Sequence, residues 1–411
     1  MHVFHDDLLP IFVTLDELSI LTNPETFLVI ADSRPVGAYA GLYENILQTK
    51  PLYLQLLSQD SLHCFENVYV GLNKQSTWYQ YGFKEPQSPI KNSYLSPIVL
   101  NFRQYFIKQF SLKQPHSEKK QALLLVRKHN RKILNQDEVL QVISKNSGLK
   151  TFAIGLDSSS VLEVIEEILN SSLVIAMHGS LLILSLFLDH HSAVIELFPF
   201  GINPDISTPY KSLCEQYGLN LFYRSWPNDV QSNTFPHPEY PPEFGGISHL
   251  SSKEQEKIQN SVVKPFLCCD DPVWLYRIYQ DTVVDTQSFG ILLKDVILNQ
   301  KRGFVVQNHP LYPGEIQNAQ CNNLILEWKQ PWNLRFLNVL GIEYEVWLQE
   351  VGGEDVKAYL MKTNKFVIPF KKTYHAWIRC HADGLIGPFT SSPVFCTVES
   401  SMTLSHLDSN G

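Results

Sequence analysis

The sequence has no long apolar run, no basic cluster and no signal-like start, and each absence narrows what the chain can be. Its longest apolar stretch, Leu173 to Leu188, is broken by His178-Gly179-Ser180, so we predict a buried core segment rather than a membrane span. The net charge is −8 without any Lys/Arg cluster, which argues against a nucleic-acid partner. The opening residues, MHVFHDD, do not resemble a signal peptide.

The cysteines do not form a metal-binding pattern. None of the seven lies in a Cys-x-x-Cys pair, which disfavours a zinc site. Cys380 and Cys396 fall in the same predicted module and could pair there, and the odd count leaves at least one thiol free or paired outside the chain. The sequon Asn170-Ser171-Ser172 is, by itself, weak evidence for a secretory compartment.

The hydrophobic pattern predicts an α/β protein with an appended β module. Between residues 118 and 305, short apolar runs alternate with helical periodicity, which predicts five strands in a doubly wound parallel sheet. Residues 1–117 carry patches of the same pattern but too few strands for a complete domain. Residues 306–398 alternate with period two and predict a small β-sandwich, followed by a disordered tail over residues 399–411.

Four of these expected elements are tested by the structure below. They are a strand over Val68 to Leu72, a helix over Leu181 to Leu188, a strand over Leu219 to Tyr223, and one long helix from Asp271 to Asn299.

The stretch from Ser171 to Pro199 predicts a βαβ unit with a ligand site. Its two buried strands, Leu173–Met177 and Ala193–Phe198, flank a tight turn and a helix-length apolar segment. Ligands sit at the carboxyl ends of such strands, which is where the turn His178-Gly179-Ser180 and Glu196 fall.

Phosphate chemistry suits this turn. Backbone amides at a helix start favour anions, and a glycine lets the backbone approach a ligand closely. His178 could donate to a phosphate oxygen, and Glu196 could accept from ribose hydroxyls. The alternative is a core βαβ unit whose turn merely needs Gly179 and a cap.

Two arginines lie at and just after the end of the first strand predicted between residues 118 and 305. Arg127 ends the strand and Arg131 lies in the next loop, KHNRKILN. Guanidinium groups bind diphosphates in a bidentate manner, so two of them beside the His178 turn suit a nucleotide. The alternative is a solvated basic loop.

The amino terminus concentrates histidine and aspartate. His2, His5, Asp6 and Asp7 lie within six residues, and in a helix His2 would lie on the same face as His5 and Asp6. A sugar transfer with inversion needs a base that takes a proton from the acceptor hydroxyl, and His or Asp can serve. Metal ligation and a plain helix start are the alternatives.

These motifs together resemble glycosyltransferase family 61. The resemblance rests on HGSL followed by FL and VIELFP, preceded by RKHNRKILN, and on the amino-terminal HVFHDDLLP. Further similar stretches, such as WYQYGF and WLYRIYQDT, extend it over nearly the whole chain. Most of the family has alanine where this chain has Ser180.

The resemblance implies a GT-B architecture of two Rossmann-like domains, here with the first one truncated, plus a fibronectin type III module. It implies an inverting enzyme that moves N-acetylglucosamine from UDP-GlcNAc in β-1,4 linkage to O-linked mannose on a glycoprotein, without a metal cofactor. The carried-over residues comprise a donor side, a catalytic side and a glycosylated asparagine: Arg127, Arg131, His178, Gly179, Ser180, Glu196; His5, Asp6, Asp7; Asn170.

The resemblance also implies a homodimer in the lumen of the endoplasmic reticulum, held as a type II membrane protein by an anchor that we expect to precede this chain. Two other functions stay open. One is a family 61 transferase with a different donor or acceptor, such as one adding N-acetylglucosamine or xylose to EGF-like domains. The other is a non-catalytic remnant that binds sugar or protein.

Overall fold

The computed structural model describes residues 2–31, 37–57, 60, 62–81, 87–90, 95–113, 121–216, 218–264, 267, 270–301, 312–337, 339, 341–369 and 372–397. It divides into two compact units, residues 1–306 and 307–411. No helix among these described residues is both long and apolar enough to cross a membrane. The predicted tail at 399–411 lies outside the described residues.

The first unit contains the helices and a parallel sheet. Its helices are α1 Leu9–Glu17, α2 Ala40–Leu47, α3 Leu95–Gln109, α4 Gln136–Ser147, α5 Val161–Leu169, α6 Pro209–Cys214, α7 Ser252–Asn260, α8 Pro272–Ile278 and α9 Thr286–Lys301. Its strands are β1 Val29–Ile30, β2 Leu52–Tyr53, β3 Tyr79–Gln80, β4 Ser88–Pro89, β5 Gln121–Leu125, β6 Lys150–Ile154, β7 Ser171–Met177, β8 Ala193–Phe198, β9 Phe222–Pro227, β10 Thr234–Phe235 and β11 Asp281–Thr282.

The predicted five-stranded parallel sheet is confirmed, with the order β6-β5-β7-β8-β9. Counted along the chain within this sheet, the order is 2-1-3-4-5, one of the two common doubly wound arrangements. Side chains alternate across it: Leu123 and Val174 join one core, whereas Leu124 and Ile175 join the core formed with α4 and α9. Helices therefore cover both faces.

The amino-terminal helices share a core with one face of that sheet. The rings of Phe4 and Phe106 both pack against Phe187, with centroids 5.8 and 5.0 Å away. Trp78 is fully buried in the same core, as expected for an aromatic in the WYQYGF stretch. In the described part of residues 2–113 the strands are two-residue pairs, β1 with β2 and β3 with β4.

Several predicted elements are wrong in extent. Val68 to Leu72 forms no strand, because its side chains are largely exposed and no neighbouring strand pairs with it. Ser180–Phe187 is a 3₁₀ rather than an α-helix. Strand β9 begins three residues later than expected. In place of the long helix expected from Asp271 to Asn299, the chain forms α8 and α9, and β11 between them pairs with β10.

The second unit consists of antiparallel sheets around one core. Its strands are β12 Gln317–Asn322, β13 Ile325–Lys329, β14 Ile342–Glu350, β15 Val356–Met361, β16 Lys365–Val367, β17 Tyr374–Ala382, β18 Leu385–Ile386 and β19 Val394–Cys396. One sheet has the order β12-β13-β16; the other has the order β15-β14-β17-β18, with β19 also on β17. Trp328 and Tyr344 meet in the core between them, with ring centroids 5.3 Å apart.

The expected pairing of Cys380 with Cys396 is wrong. Cys396 forms a disulfide with Cys321, which joins strands of the two different sheets. Cys396 is in register with Tyr374 on β17, so Cys380 lies six residues further along that strand, about 20 Å away. Cys380 is a free thiol, and burial raises its pKa to about 12.

Candidate active site

The doubly wound sheet brings the predicted donor residues to one edge. Arg127 follows β5, and His178 follows β7, its direct neighbour in the sheet. These are the first and third strands of the 2-1-3-4-5 order, where connections leave toward opposite faces and open a crevice. The sequence reasoning placed a ligand at this end of the strands, and the sheet order makes it the topological switch point.

Both arginines converge on the His178-Gly179-Ser180 turn. The guanidinium of Arg127 donates to the hydroxyl of Ser180, with Nη2 and Oγ 2.9 Å apart. Arg131 donates from Nη1 to the carbonyl oxygen of His178, also at 2.9 Å, and lies over the ring of Tyr279 at 4.9 Å. Arg131 itself adopts a left-handed backbone conformation, with φ of 53°.

The positive charge at this turn forms no ion pair in the described part of the chain, although the charge of Asp157 acts on Arg127 over a longer distance. Neither Arg127 nor Arg131 lies within ion-pair distance of a carboxylate there. Burial lowers the pKa of Arg127, and burial together with the charge of Arg127 lowers the pKa of Arg131 to about 10. Both groups remain charged near neutral pH, so this edge can hold an anion.

Gly179 is required by the close approach of those guanidinium groups. Its φ is 149°, and a Cβ here would collide with Nη1 of Arg131 and lie 3.0 Å from Nη2 of Arg127. A side chain would therefore displace the two cations. The glycine is a consequence of the site and not only of the turn, which favours the functional interpretation over the plain βαβ core.

His178 is held from behind by Glu196. Its Nδ1 lies 2.5 Å from Oε1 of Glu196, and the hydroxyl of Ser207 lies 3.3 Å from its Nε2. The imidazole stacks on the ring of Phe198, with centroids 4.8 Å apart. A carboxylate on Nδ1 fixes the orientation and tautomer of the ring.

Glu196 is fully buried and its carboxylate is already occupied. Oε2 accepts from the hydroxyl of Tyr223 at 2.5 Å, while Oε1 contacts His178. A ribose contact from Glu196, as the sequence suggested, requires one of these partners to be released. In this arrangement Glu196 positions His178.

The amino-terminal cluster lies on a π-helical turn, Val3–Leu8, a rare geometry that recurs at functional sites. Asp6 contacts Nδ1 of both His2 and His5, one with each carboxylate oxygen. Burial opposes the ionisation of Asp6, but these two histidines outweigh it and hold the pKa of Asp6 well below its usual range. His5 is buried edge-on against Trp78, with ring centroids 4.1 Å apart.

Asp7 has a different environment from Asp6. One of its oxygens, Oδ2, accepts from the hydroxyl of Tyr43 at 2.7 Å. Asp6, Asp7 and Tyr43 line a cavity of about 1130 Å³. His5 does not line this cavity, but His2 does, so the two carboxylates and His2 face the space in which a substrate can sit.

Two tyrosines that the sequence analysis did not single out connect the clusters. Burial raises the pKa of Tyr81, and the charges of Tyr210 and Asp6 add to that effect. Burial likewise raises the pKa of Tyr210, against the opposing charges of Arg131 and Arg127. The two tyrosines therefore lie within electrostatic range of both clusters. Tyr81 belongs to the WYQYGF stretch, whereas no local sequence signal marks Tyr210.

Comparison with known proteins identifies the family. A sequence model described as Glycosyltransferase 61 matches residues 1–195. A bovine relative, "Protein O-linked-mannose beta-1,4-N-acetylglucosaminyltransferase 2", is 38% identical over 421 residues, covering 97% of this chain and 72% of that protein. The chain belongs to glycosyltransferase family 61.

Other relatives of this family 61 glycosyltransferase have the same name. The Xenopus laevis protein is 37% identical and the mouse protein 36% identical, each covering 97% of this chain and 72% of the relative. Among solved structures, titin kinase with its flanking domains matches at a TM-score of 0.19 and 12% identity, over 21% of this chain and 17% of that one. So low a score supports no conclusion about fold or function.

Asn170, the predicted glycosylation site of this family 61 chain, ends helix α5. It is half-buried, and its Nδ2 donates to the carbonyl oxygen of Glu166 at 2.8 Å. Ser171, the next residue, is fully buried at the start of β7. Modification of Asn170 in the folded chain would require this helix end to open.

Proposed function

We propose that the chain transfers N-acetylglucosamine from UDP-GlcNAc to O-linked mannose on serine or threonine of a glycoprotein, in β-1,4 linkage. The observation that carries this proposal is that two arginines, neither of them paired with a carboxylate in the described residues, converge on Gly179. The chain is also 38% identical to the bovine protein named for that activity.

The donor diphosphate is proposed to lie over Arg127, Arg131 and the His178-Gly179-Ser180 turn. Two adjacent guanidinium groups, partly withdrawn from water, supply the positive charge that a departing diphosphate needs. Their electrostatic contribution serves in place of a metal ion, so we expect no metal requirement. His178 is buried and both of its ring nitrogens have partners, Glu196 and Ser207, so its proposed part is to hold the turn rather than to donate to a phosphate oxygen.

Asp7 is the proposed base on the acceptor side. Asp6 is tied by a histidine on each oxygen and has a depressed pKa, which makes it the poorest proton acceptor of the cluster. His5 is almost entirely buried. Asp7 faces the cavity and has a hydrogen bond from Tyr43 on only Oδ2.

The chemical step then balances as a single displacement. The 4-hydroxyl oxygen of mannose forms a bond to the anomeric carbon of N-acetylglucosamine while the bond from that carbon to the UDP oxygen breaks. Asp7 takes the hydroxyl proton, and the departing oxygen takes the electron pair beside Arg127 and Arg131. Attack opposite the leaving group converts the α-linked donor into a β-linked product.

The wider setting is also part of the proposal. We propose that residues 1–117 and 118–305 form the two halves of a GT-B pair and that residues 306–398 form a fibronectin type III module, in a homodimer that binds a glycoprotein acceptor. The disulfide between Cys321 and Cys396 supports an oxidising compartment, which for this enzyme is the lumen of the endoplasmic reticulum. We also propose that the protein is anchored as a type II membrane protein and that it is glycosylated at Asn170.

Turnover of UDP-GlcNAc with a mannosyl-threonine peptide tests this function. We expect N-acetylglucosamine transfer to this peptide, and none to the same peptide without mannose. Transfer only from UDP-xylose, or only to an EGF-like domain, would show a family 61 transferase of different specificity. UDP binding without any turnover would instead support the non-catalytic alternative.

Chelation separates the arginine-based mechanism from a metal-dependent one. We expect EDTA to leave the transfer rate unchanged, because the positive charge at the diphosphate comes from side chains. Complete loss with EDTA and recovery with a divalent cation would instead support metal ligation by the His2, His5 and Asp6 cluster.

A further inference from the structure

Arg131 is held in place by a segment that lies 150 residues further along the chain. Its guanidinium lies over the ring of Tyr279, two residues before Asp281. The loop that carries Arg131 lies beside β11, Asp281–Thr282, a strand that falls inside the single long helix predicted from the sequence. The start of this loop is held by Asp157, which follows β6 and whose Oδ2 accepts from the amide of Lys128 at 2.9 Å. The part from Arg131 onward is held by contacts with the segment around β11.

Backbone hydrogen bonds join this loop to β11. Thr282 donates its amide to the carbonyl oxygen of Lys132, and Leu134 donates to the carbonyl oxygen of Thr282, both at 2.9 Å. The side chain of Asn135 exchanges two further bonds with the backbone of Val284, at 2.8 and 2.9 Å. The loop is therefore fixed as a short extension of β11.

Asp281 adds a charged contact next to Arg131. Its Oδ1 accepts from the backbone amide of Lys132 at 2.7 Å, and its Oδ2 lies 3.0 Å from Nζ of the same residue. Asp281 is 1% exposed, so this carboxylate is buried against the loop. The hydrogen bond that the Lys132 amine donates to Asp281 raises the pKa of that amine.

His237 also contacts the carboxylate of Asp281. Its Nε2 lies 2.9 Å from Oδ2 of Asp281, and its ring stacks on Tyr240 at 4.2 Å. The hydroxyl of Tyr240 donates to the carbonyl oxygen of His129, two residues before Arg131. The proline-rich segment around His237 thus reaches the Arg131 loop from a second direction.

We propose that Asp281 is a positioning residue for the donor diphosphate, which it serves by holding the Arg131 loop through Lys132. This proposal rests on the proposed function. Arg131 has a left-handed φ, which is unfavourable for a residue with a side chain and persists only where neighbours impose it. The hydrogen bond that the amide of Lys132, the next residue in the chain, donates to Asp281 supplies that constraint, and a buried carboxylate accepts it more strongly than a neutral group would.

A double-mutant cycle on UDP affinity tests this inference in the full chain. Asp281→Ala should weaken UDP binding at least about tenfold, since a hydrogen bond to a charged group is worth that much. Because Asp281 acts through Arg131, the double variant Asp281→Ala/Arg131→Ala should bind UDP no more weakly than Arg131→Ala alone. The KM for the mannosyl peptide should not change.

Asp281→Asn keeps an oxygen for the Lys132 amide and guards against a variant that fails to fold. We expect its UDP affinity to lie between those of the parent and Asp281→Ala, or below the parent where the alanine variant cannot be purified. Arg103→Ala is the matched control, because it removes hydrogen bonds to Leu188 and Asp189 from α3 without touching the loop. It should leave UDP affinity unchanged.

The outcomes separate the inference from the function on which it rests. Unchanged UDP affinity in folded Asp281→Ala or Asp281→Asn would overturn the positioning role, as would losses that simply add in the double variant. Equal loss in Arg103→Ala would also overturn it, since the effect would then reflect general destabilisation. Failure of the unmodified chain to bind UDP would overturn the proposed function and this inference together.

Discussion

The two halves of the candidate site both contain a histidine beside a carboxylate, but they differ in which charged groups they expose. At the donor edge, the carboxylate of Glu196 is fully buried behind His178, and the cations of Arg127 and Arg131 are left without carboxylate partners in the described chain. At the amino terminus, His5 is buried, while Asp6 and Asp7 face the cavity together with His2. One half therefore presents positive charge and the other negative charge.

This difference shows that a histidine beside a carboxylate does not by itself define a role. Burial decides which groups can meet the substrate, because only an exposed group can exchange a proton or bind a charge. His178 and Glu196 are both buried, so Arg127 and Arg131 present the charge on their side, whereas Asp6 and Asp7 reach the cavity on the other. A diphosphate needs the first arrangement and a sugar hydroxyl needs the second. The comparison is useful because substitutions on each side should affect different kinetic constants.

The largest effect is expected at Asp7. Asp7→Asn should lower kcat at least about 10²-fold, the usual scale of a lost general base, while UDP affinity stays the same. Rates with the mannosyl peptide and calorimetric UDP titrations measure the two quantities. Asp6→Asn is the matched control and should lower kcat less, because Asp6 is tied to His2 and His5. Parent-like kcat in Asp7→Asn would refute the assignment.

Arg131 should show the reverse behaviour. Arg131→Ala should weaken UDP binding roughly 10–100-fold, through loss of a charge-assisted contact to phosphate. Arg224→Ala is a suitable comparison, since Arg224 is also an arginine of the parallel sheet but stacks on Phe222 and pairs with Asp295. Equal effects in the two variants would mean that UDP responds only to overall charge.

Gly179→Ala should weaken both UDP binding and folding. The added methyl meets the guanidinium groups, and the strained backbone should lower the free energy of unfolding by about 1–3 kcal/mol. Gly148→Ala provides the control, because Gly148 also has a positive φ but a methyl group added there would meet no atom within 4 Å. Urea unfolding should show a loss in both variants, and UDP titration a loss only at Gly179.

The smallest effect concerns Asp6 and depends on pH. The pKa of Asp6 is depressed in the folded chain, so its stabilising contribution is present above the ordinary value of 3.8 and is lost as the pH falls below it. Asp6→Asn should lower the free energy of unfolding by about 0.5–1 kcal/mol near neutral pH, since the side chain is 41% exposed. Urea unfolding in acid should narrow this difference, and a constant difference would contradict the shift.

Local patterns predicted where the candidate donor residues lie in the sheet, while their role in donor binding stays a prediction. The alternation of buried and mixed segments identified the parallel sheet, and the strand ends located Arg127, His178 and Glu196, because strand periodicity is encoded residue by residue. The same reasoning could not find Tyr210 or the segment around Asp281. That segment lies far along the chain from the Arg131 loop, and contacts between distant segments produce no periodic pattern in the sequence.

The sequence by itself determined which segments are strands of the parallel sheet, and it placed Gly179 and both arginines at their carboxyl ends, since side-chain spacing is a local property. Only the tertiary structure decided that Glu196 faces inward, that Asp7 faces a cavity, and that Cys396 pairs with Cys321. Those outcomes depend on which distant segments pack together, and the burial that this packing imposes decides which charged groups are free to act.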